Sequence, residues 1–194
     1  LSFIKNLGLK NITLFLHEWG GTLGLTLPMD QKNIYNGIVL FNAYLGTSIS
    51  NITEGYKSWI NTNIETEELN IRALMARTNR ILNLSECNAY EAPFSEKKQK
   101  LSLRMLPSIF PTNSDMDGYD ICNKALNWWE ENSLSKVLVI GGGRDPLITL
   151  EKMKVLSNII STDEQTHVIN NAGHFVPEWG MEFGEELFEQ LILE

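Results

Sequence analysis

Asn11-Ile12-Thr13-Leu14-Phe15-Leu16-His17-Glu18-Trp19-Gly20-Gly21 runs from an apolar stretch through an acid into a pair of glycines. The near-continuous apolar run 12–16 predicts a parallel strand buried on both faces, because a half-buried strand would alternate with polar residues. The glycine pair lets the backbone turn sharply into a helix, expected to carry Leu23, Leu25 and Leu27 up to Pro28. Glu18 then stands at the C-terminal end of a buried strand, the edge at which sites in open α/β sheets lie. A carboxylate there is costly to desolvate unless the position has a use. The competing reading is a solvated loop acid.

Outward from this stretch, 37–41 (GIVLF) and 136–140 (KVLVI) read as further buried strands, and 166–169 (THVI) as a weaker one. Helices are expected over 1–9, 147–159 and 182–193. Strands alternating with helices predict an α/β fold, a mostly parallel sheet with helices on both faces. Asp145 follows the third strand in the turn-forming run Gly141-Gly142-Gly143-Arg144-Asp145-Pro146, and His174 lies in Asn171-Ala172-Gly173-His174-Phe175. Asp145 has two readings, a turn cap or the acid that orients His174 through its ring N–H. A loop histidine alone is usually just polar, but His174 comes after Glu18 and Asp145 in the order nucleophile, acid, base. His17 and His167 lack that support and read as structural.

Between Gly46 and about Tyr119 strand-like runs disappear. Residues 66–81 predict a helix with Thr66 as its cap and Leu69, Ala73, Ala76 and Arg80 at helical spacing, and Pro93, Pro107 and Pro111 break the stretch beyond it. A helical cap over the site is expected from 46–118, flanked by core segments 1–45 and 119–194. With 194 residues, 43% of them hydrophobic and 21% charged, a single soluble unit is the expectation. The net charge of −8 argues against a nucleic-acid partner. No apolar run approaches the ~20 residues that span a bilayer. Cys87 and Cys122 suggest no disulfide framework, and reduced thiols in a cytoplasmic protein are the plain reading. Asn-X-Ser/Thr triplets at Asn11, Asn51 and Asn83 are short enough to recur by chance.

At these residues the chain resembles the haloalkane dehalogenases of the α/β-hydrolase superfamily. The likeness rests on 11–29 (NITLFLHEWGGTLGLTLPM), 55–59 (GYKSW), 89–94 (AYEAPF) and 172–180 (AGHFVPEWG). It implies that Glu18 sits in the slot of the nucleophile, where the family carries Asp, on a strand-to-helix elbow. It further implies that Asp145 and His174 complete a triad and that the indoles of Trp19 and Trp59 hold the leaving halide. Trp128, Trp129 and Trp179 have no such match and read as packing. Tyr56, three residues before Trp59, is placed to share its helical face. In that fold several strands precede the elbow and one of their loops supplies half of the oxyanion hole, so the likeness implies a longer protein upstream of Leu1 and a monomer when full length.

The activity implied is hydrolysis of a carbon–halogen bond in a haloalkane or related small molecule, through an alkyl-enzyme ester and water, with no cofactor or metal. Two alternatives stay open. One is an epoxide hydrolase or other α/β-hydrolase, to which two cap tyrosines would be suited as donors to a ring oxygen. The other is a catalytically silent protein or incomplete fragment, because Glu18 replaces Asp.

Overall fold

Residues 1–46, 52–161 and 166–188 are described by the computed structural model of the chain. Among them, β1 (Ile12–His17), β2 (Tyr35–Phe41), β3 (Lys136–Gly142) and β4 (Thr166–Ile169) pair in parallel, in sequential order β1-β2-β3-β4. Ile38 aligns with Val137, Val39 with Leu138, Leu40 with Val139 and Phe41 with Ile140. The period of two along each strand sorts these residues onto opposite faces. Ile38, Leu40 and Val139 join a core with Leu25, Trp129, Met153 and Ile160, while Val39, Phe41, Leu138 and Ile140 pack with Phe183. The first face is thus covered by α2 (Trp19–Gly24), α7 (Tyr119–Glu131) and α8 (Leu150–Ile160), and the second by α9 (Gly180–Phe188). Connections that put successive crossover helices on one face are what same-handed crossovers in a sequentially ordered sheet require. This is the α/β-hydrolase fold expected, with a four-stranded parallel sheet and a helical insertion.

The expectation that β1 is buried on both faces does not hold. Leu14 and Leu16 face the core, but Phe15 is 58% exposed. The reason is positional: among the described residues β1 pairs only with β2, so it is an edge strand, and α9 leaves the Phe15 side largely open. The N-terminal helix α1 (Ser2–Leu7) ends at Gly8 in the left-handed region, φ 61°, which glycine adopts without a Cβ penalty.

The insertion also differs in detail. Helix α3 (Glu54–Glu65) lies upstream of the expected one, starting with the Thr53 hydroxyl accepting from the Tyr56 N–H and ending at Thr66. Thr66 is therefore a C-cap, not an N-cap. A short α4 (Ile71–Met75) restarts with Asn70 accepting from the Ala73 N–H, and Asn79, at φ 57°, terminates the 3₁₀ turn beyond it. Polar side chains that bond to their own backbone interrupt what periodicity joins into one helix. Further on lie α5 (Leu84–Glu91), capped by the Asn83 side chain, and α6 (Leu101–Met105). Helix α8 begins three residues later than expected because Asp145 accepts from the N–H groups of Leu147 and Ile148 and holds them in a turn. Residues 47–51, with the Asn51 triplet and the start of the expected cap, and the end of the helix expected at 182–193 lie outside the described residues. No helix among the described residues is long and apolar enough to cross a membrane.

Candidate active site

Each strand that points at the site delivers its residue at the C-terminal edge. Glu18 follows β1 with φ 50° and ψ −116°, a conformation rare for a residue with a side chain. The sharp turn is made by Glu18 itself; neither following glycine has positive φ. A strained residue of this kind costs about 1–3 kcal/mol and persists only where its surroundings over-determine it. Here the Glu18 N–H donates to the Asn42 carbonyl at 3.0 Å, and the Glu18 carbonyl accepts from the N–H groups of Gly21 and Thr22.

The Glu18 carboxylate is held at both oxygens. Oε2 accepts from the Trp19 N–H at 2.5 Å, and Oε1 from the Tyr56 hydroxyl at 2.7 Å. Burial raises the Glu18 pKa, opposed by the Tyr56 hydrogen bond, the nearby His174 and the Trp19 N–H. The same burial, with the Glu18 charge beside it, pushes the Tyr56 phenol far up, so it remains a donor throughout the working range. Tyr56 and Trp59 share a face of α3, as their spacing predicts, with ring centroids 5.3 Å apart.

Asp145, after β3, is hydrogen-bonded at both carboxylate oxygens. Oδ1 accepts from Leu147 and Ile148, and Oδ2 accepts from His174 Nδ1 at 2.9 Å and from the Asn42 amide. Burial alone would raise the Asp145 pKa, but the His174 ring, the Leu147 N–H and Asn42 together hold it below the usual range. An ionised carboxylate can only accept, so His174 Nδ1 carries the hydrogen and Nε2 is left as the basic nitrogen. The backbone of His174 is pinned as well. Its N–H donates to the Arg77 carbonyl at 2.6 Å, and the Gly173 N–H donates to the Thr78 carbonyl at 3.0 Å.

Glu18 and His174 open onto one cavity of about 290 Å³, walled by Trp19, Trp59, Leu74, Leu103, Leu106 and Pro107 among others. The Trp19 indole N–H is buried and has no hydrogen-bond partner among the described residues. Trp59 is set by α3, where its carbonyl accepts from the Asn63 amide. The remaining tryptophans pack as expected: Trp129 donates to the Leu25 carbonyl and Trp179 to that of Thr78, while Trp128 stacks edge-on against Trp129.

Two neighbours escape the sequence reading. Asn42, fully buried just after β2, bridges Asp145 and the Gly142 N–H with its side chain and Glu18 with its carbonyl. The available signal is a polar residue directly following an apolar strand at the sheet edge that carries Glu18. His17, read as structural, lines the cavity and donates from Nε2 to the His174 carbonyl at 2.9 Å. Burial, with the His174 ring beside it, lowers its pKa to about 4, so it is neutral at ordinary pH.

No protein-family model matches the chain. Over 196 aligned residues it is 28% identical to a haloalkane dehalogenase of Psychrobacter cryohalolentis, covering 98% of this chain and 62% of that protein. A haloalkane dehalogenase of Mycolicibacterium paratuberculosis is 26% identical, with 99% and 63% covered. Among solved structures, the haloalkane dehalogenase DpaA from Paraglaciecola agarilytica, described as tetrameric, superposes with a TM-score of 0.88 at 30% identity, covering 95% of this chain and 62% of that one. The structure of DbeA from Bradyrhizobium elkani, at 17% identity and a TM-score of 0.78, shares the fold. The chain therefore spans about 62% of the length of the relatives it matches.

Proposed function

We propose, from the likeness to haloalkane dehalogenases over nearly the whole chain, that Glu18, Asp145 and His174 form a hydrolytic triad that cleaves a carbon–halogen bond in a small molecule, beneath the insertion that carries α3 to α6. One observation carries this reading. A carboxylate at a strained elbow and a histidine oriented by a buried acid open onto the same apolar-walled cavity. In the first step a Glu18 oxygen bonds to the halogen-bearing carbon, and the carbon–halogen electron pair leaves with the halide. The Trp19 and Trp59 indoles receive that halide. A buried N–H without an acceptor costs about 1–3 kcal/mol, and an anion at Trp19 would recover it. In the second step His174 Nε2 takes a proton from water, hydroxide adds to the ester carbonyl, and collapse releases the alcohol and restores the carboxylate. The proton then leaves His174 for solvent.

Tyr56 does not line the cavity, and its hydroxyl is spent on Glu18. That speaks for displacement of a halide over opening of an epoxide, for which a phenol would have to face the substrate. Each Glu18 oxygen accepts one hydrogen bond and keeps a further lone pair with which to attack, and the Tyr56 bond is the one its extra methylene allows it to reach. The test is a trapping experiment. His174→Gln incubated with 1-bromobutane should accumulate an alkyl ester on the peptide that contains Glu18, seen by mass spectrometry, with one halide released per adduct. An adduct on another residue, or halide release that survives Glu18→Gln, would overturn the assignment.

A further inference from the structure

Arg77 is the one side chain with a permanent positive charge among the described residues that line the cavity. Its guanidinium has no hydrogen-bond or ion-pair partner among the described residues, in contrast to Arg80, which bonds both Glu86 and Glu178. Burial lowers its pKa, so the surroundings disfavour its charge. The acid that opposes this is Asp145, whose carboxylate is already occupied by His174, Asn42, Leu147 and Ile148. Glu18 is likewise occupied, by Trp19 and Tyr56. The position of Arg77 is not loose, because its carbonyl accepts the His174 N–H at 2.6 Å. The structure thus places a half-buried cation on the lining of an apolar cavity, tied by its backbone to the histidine loop, with no protein partner for its guanidinium among the described residues.

A half-desolvated guanidinium attracts a partner that can return its hydrogen bonds, and its planar fork fits a carboxylate at two points. We propose that Arg77 binds an anionic head group of the substrate, and that the substrate class is an aliphatic halide bearing a terminal carboxylate, halogen and carboxylate at opposite ends of a short chain. The two ends must be apart because Glu18 is itself an anion when it attacks, and a carboxylate beside it would be repelled. The apolar wall of Leu74, Leu103, Leu106 and Pro107 suits the methylenes between them. A volume of about 290 Å³ lies at the small end of ligand sites, as a short chain requires. The inference rests on the hydrolase reading for the halogen, but not for the carboxylate.

The binding test therefore uses probes that cannot react. Hexanoate and 1-hexanol have the same chain and differ in the head group, and their affinities are measured by titration calorimetry at pH 7.5. Hexanoate should bind about tenfold more tightly, a difference of ~1.4 kcal/mol. The ratio should fall to about one in Arg77→Met and stay intermediate in Arg77→Lys, which keeps the charge and loses the fork. Equal affinities in the parent chain overturn the proposal whether or not Arg77→Met folds, and so does a preference that survives in a folded Arg77→Met. Halide release from 6-bromohexanoate and 1-bromohexane then separates the two readings. A hexanoate preference with no halide release from either compound refutes the dehalogenation and leaves the carboxylate site standing. Release from 1-bromohexane without a hexanoate preference does the reverse.

Discussion

Gly173→Ala tests whether the insertion is seated on the histidine loop. A Cβ at Gly173 would lie 2.1 Å from the Arg77 carbonyl oxygen, 3.0 Å from its carbon and 3.1 Å from that of Thr78, all of it backbone that no rotamer change can move. The Gly173 backbone is outside the left-handed region, so alanine is conformationally acceptable and the cost is steric alone. Relief requires the two segments to part by more than about 1 Å, which breaks the bonds from Gly173 to Thr78 and from His174 to Arg77. Two hydrogen bonds at ~1 kcal/mol each and an overpacking strain of ~1–3 kcal/mol give a loss of at least about 3 kcal/mol. For a chain of this size each kcal/mol lowers Tm by roughly 2–4 °C, so a fall of roughly 6–12 °C is expected in a thermal melt followed by circular dichroism. Gly20→Ala is the control: a Cβ there meets nothing within 4 Å, and its Tm should hold or rise slightly. A Gly173→Ala Tm within about 1 °C of the parent would refute the argument, because the two backbones could not then be in contact.

Three further outcomes are expected at the site. Glu18→Asp removes the methylene that reaches Tyr56, and a displacement of about 1 Å can change rate on the order of a hundredfold; halide release from a bromoalkane should rise with little change in Tm, and equal or lower activity would mean the pocket is built around Glu. Because burial raises the Glu18 pKa, its active anion should disappear as pH falls through a value above the ordinary carboxylate range, and the acidic limb of kcat/KM reports this; the same burial should cost stability as pH rises through that value, so Glu18→Gln should melt higher than the parent at pH 7 but not at pH 3. His17 runs the other way. With a pKa lowered from 6.5 to about 4, it contributes stability above pH 6.5 that is lost as pH falls toward 4, on the order of 3 kcal/mol, and His17→Gln should flatten that loss in urea titrations across this window.

The order of strands and the residues at their ends are legible in the sequence because they obey local rules. Apolar runs such as 37–41 and 136–140 make buried strands wherever they fall, and glycine-rich turns after them place Asp145 and His174 at one edge. The insertion is harder to read. Its helix boundaries depend on side chains that compete with the backbone, Thr53, Asn70 and Asn83, and each of these looks in sequence like an ordinary polar residue. Asn42 and His17 escape notice for a different reason. Their importance comes from long-range contacts, to Asp145 and to His174, across 103 and 157 residues of chain. Phe15 defies its pattern because burial on the second face of a strand is a property of its neighbours and not of its own sequence.

The glycines after Glu18 also act differently from what their composition implies, and the difference explains the elbow. A Cβ at Gly21 would lie 2.3 Å from the Ala43 Cβ, and one at Gly24 would lie 2.3 Å from a Leu16 methyl. These glycines do not bend the chain; they let α2 lie directly against the strands. A helix that begins this close to the strand feeding it leaves a single residue to reverse the chain, and Glu18 is that residue, at φ 50°. Its N–H is fixed by Asn42, whose side chain also fixes Asp145, and Asp145 fixes His174. The close helix packing that strains Glu18 and the buried amide that holds Asp145 against His174 therefore belong to one arrangement. Asn42→Leu should expose this. It removes the amide while leaving the Asn42 carbonyl, strands the Gly142 N–H and strips a donor from Asp145. Leaving one buried donor unpaired costs about 1–3 kcal/mol, and loss of a hydrogen bond to a charged group about 1.5–3 kcal/mol. Denaturant melts should show a loss of that order, and activity should fall with kcat more than with KM, since the residue touches no cavity surface. A loss of stability with unchanged kcat would mean that Asp145 and His174 keep their alignment without Asn42.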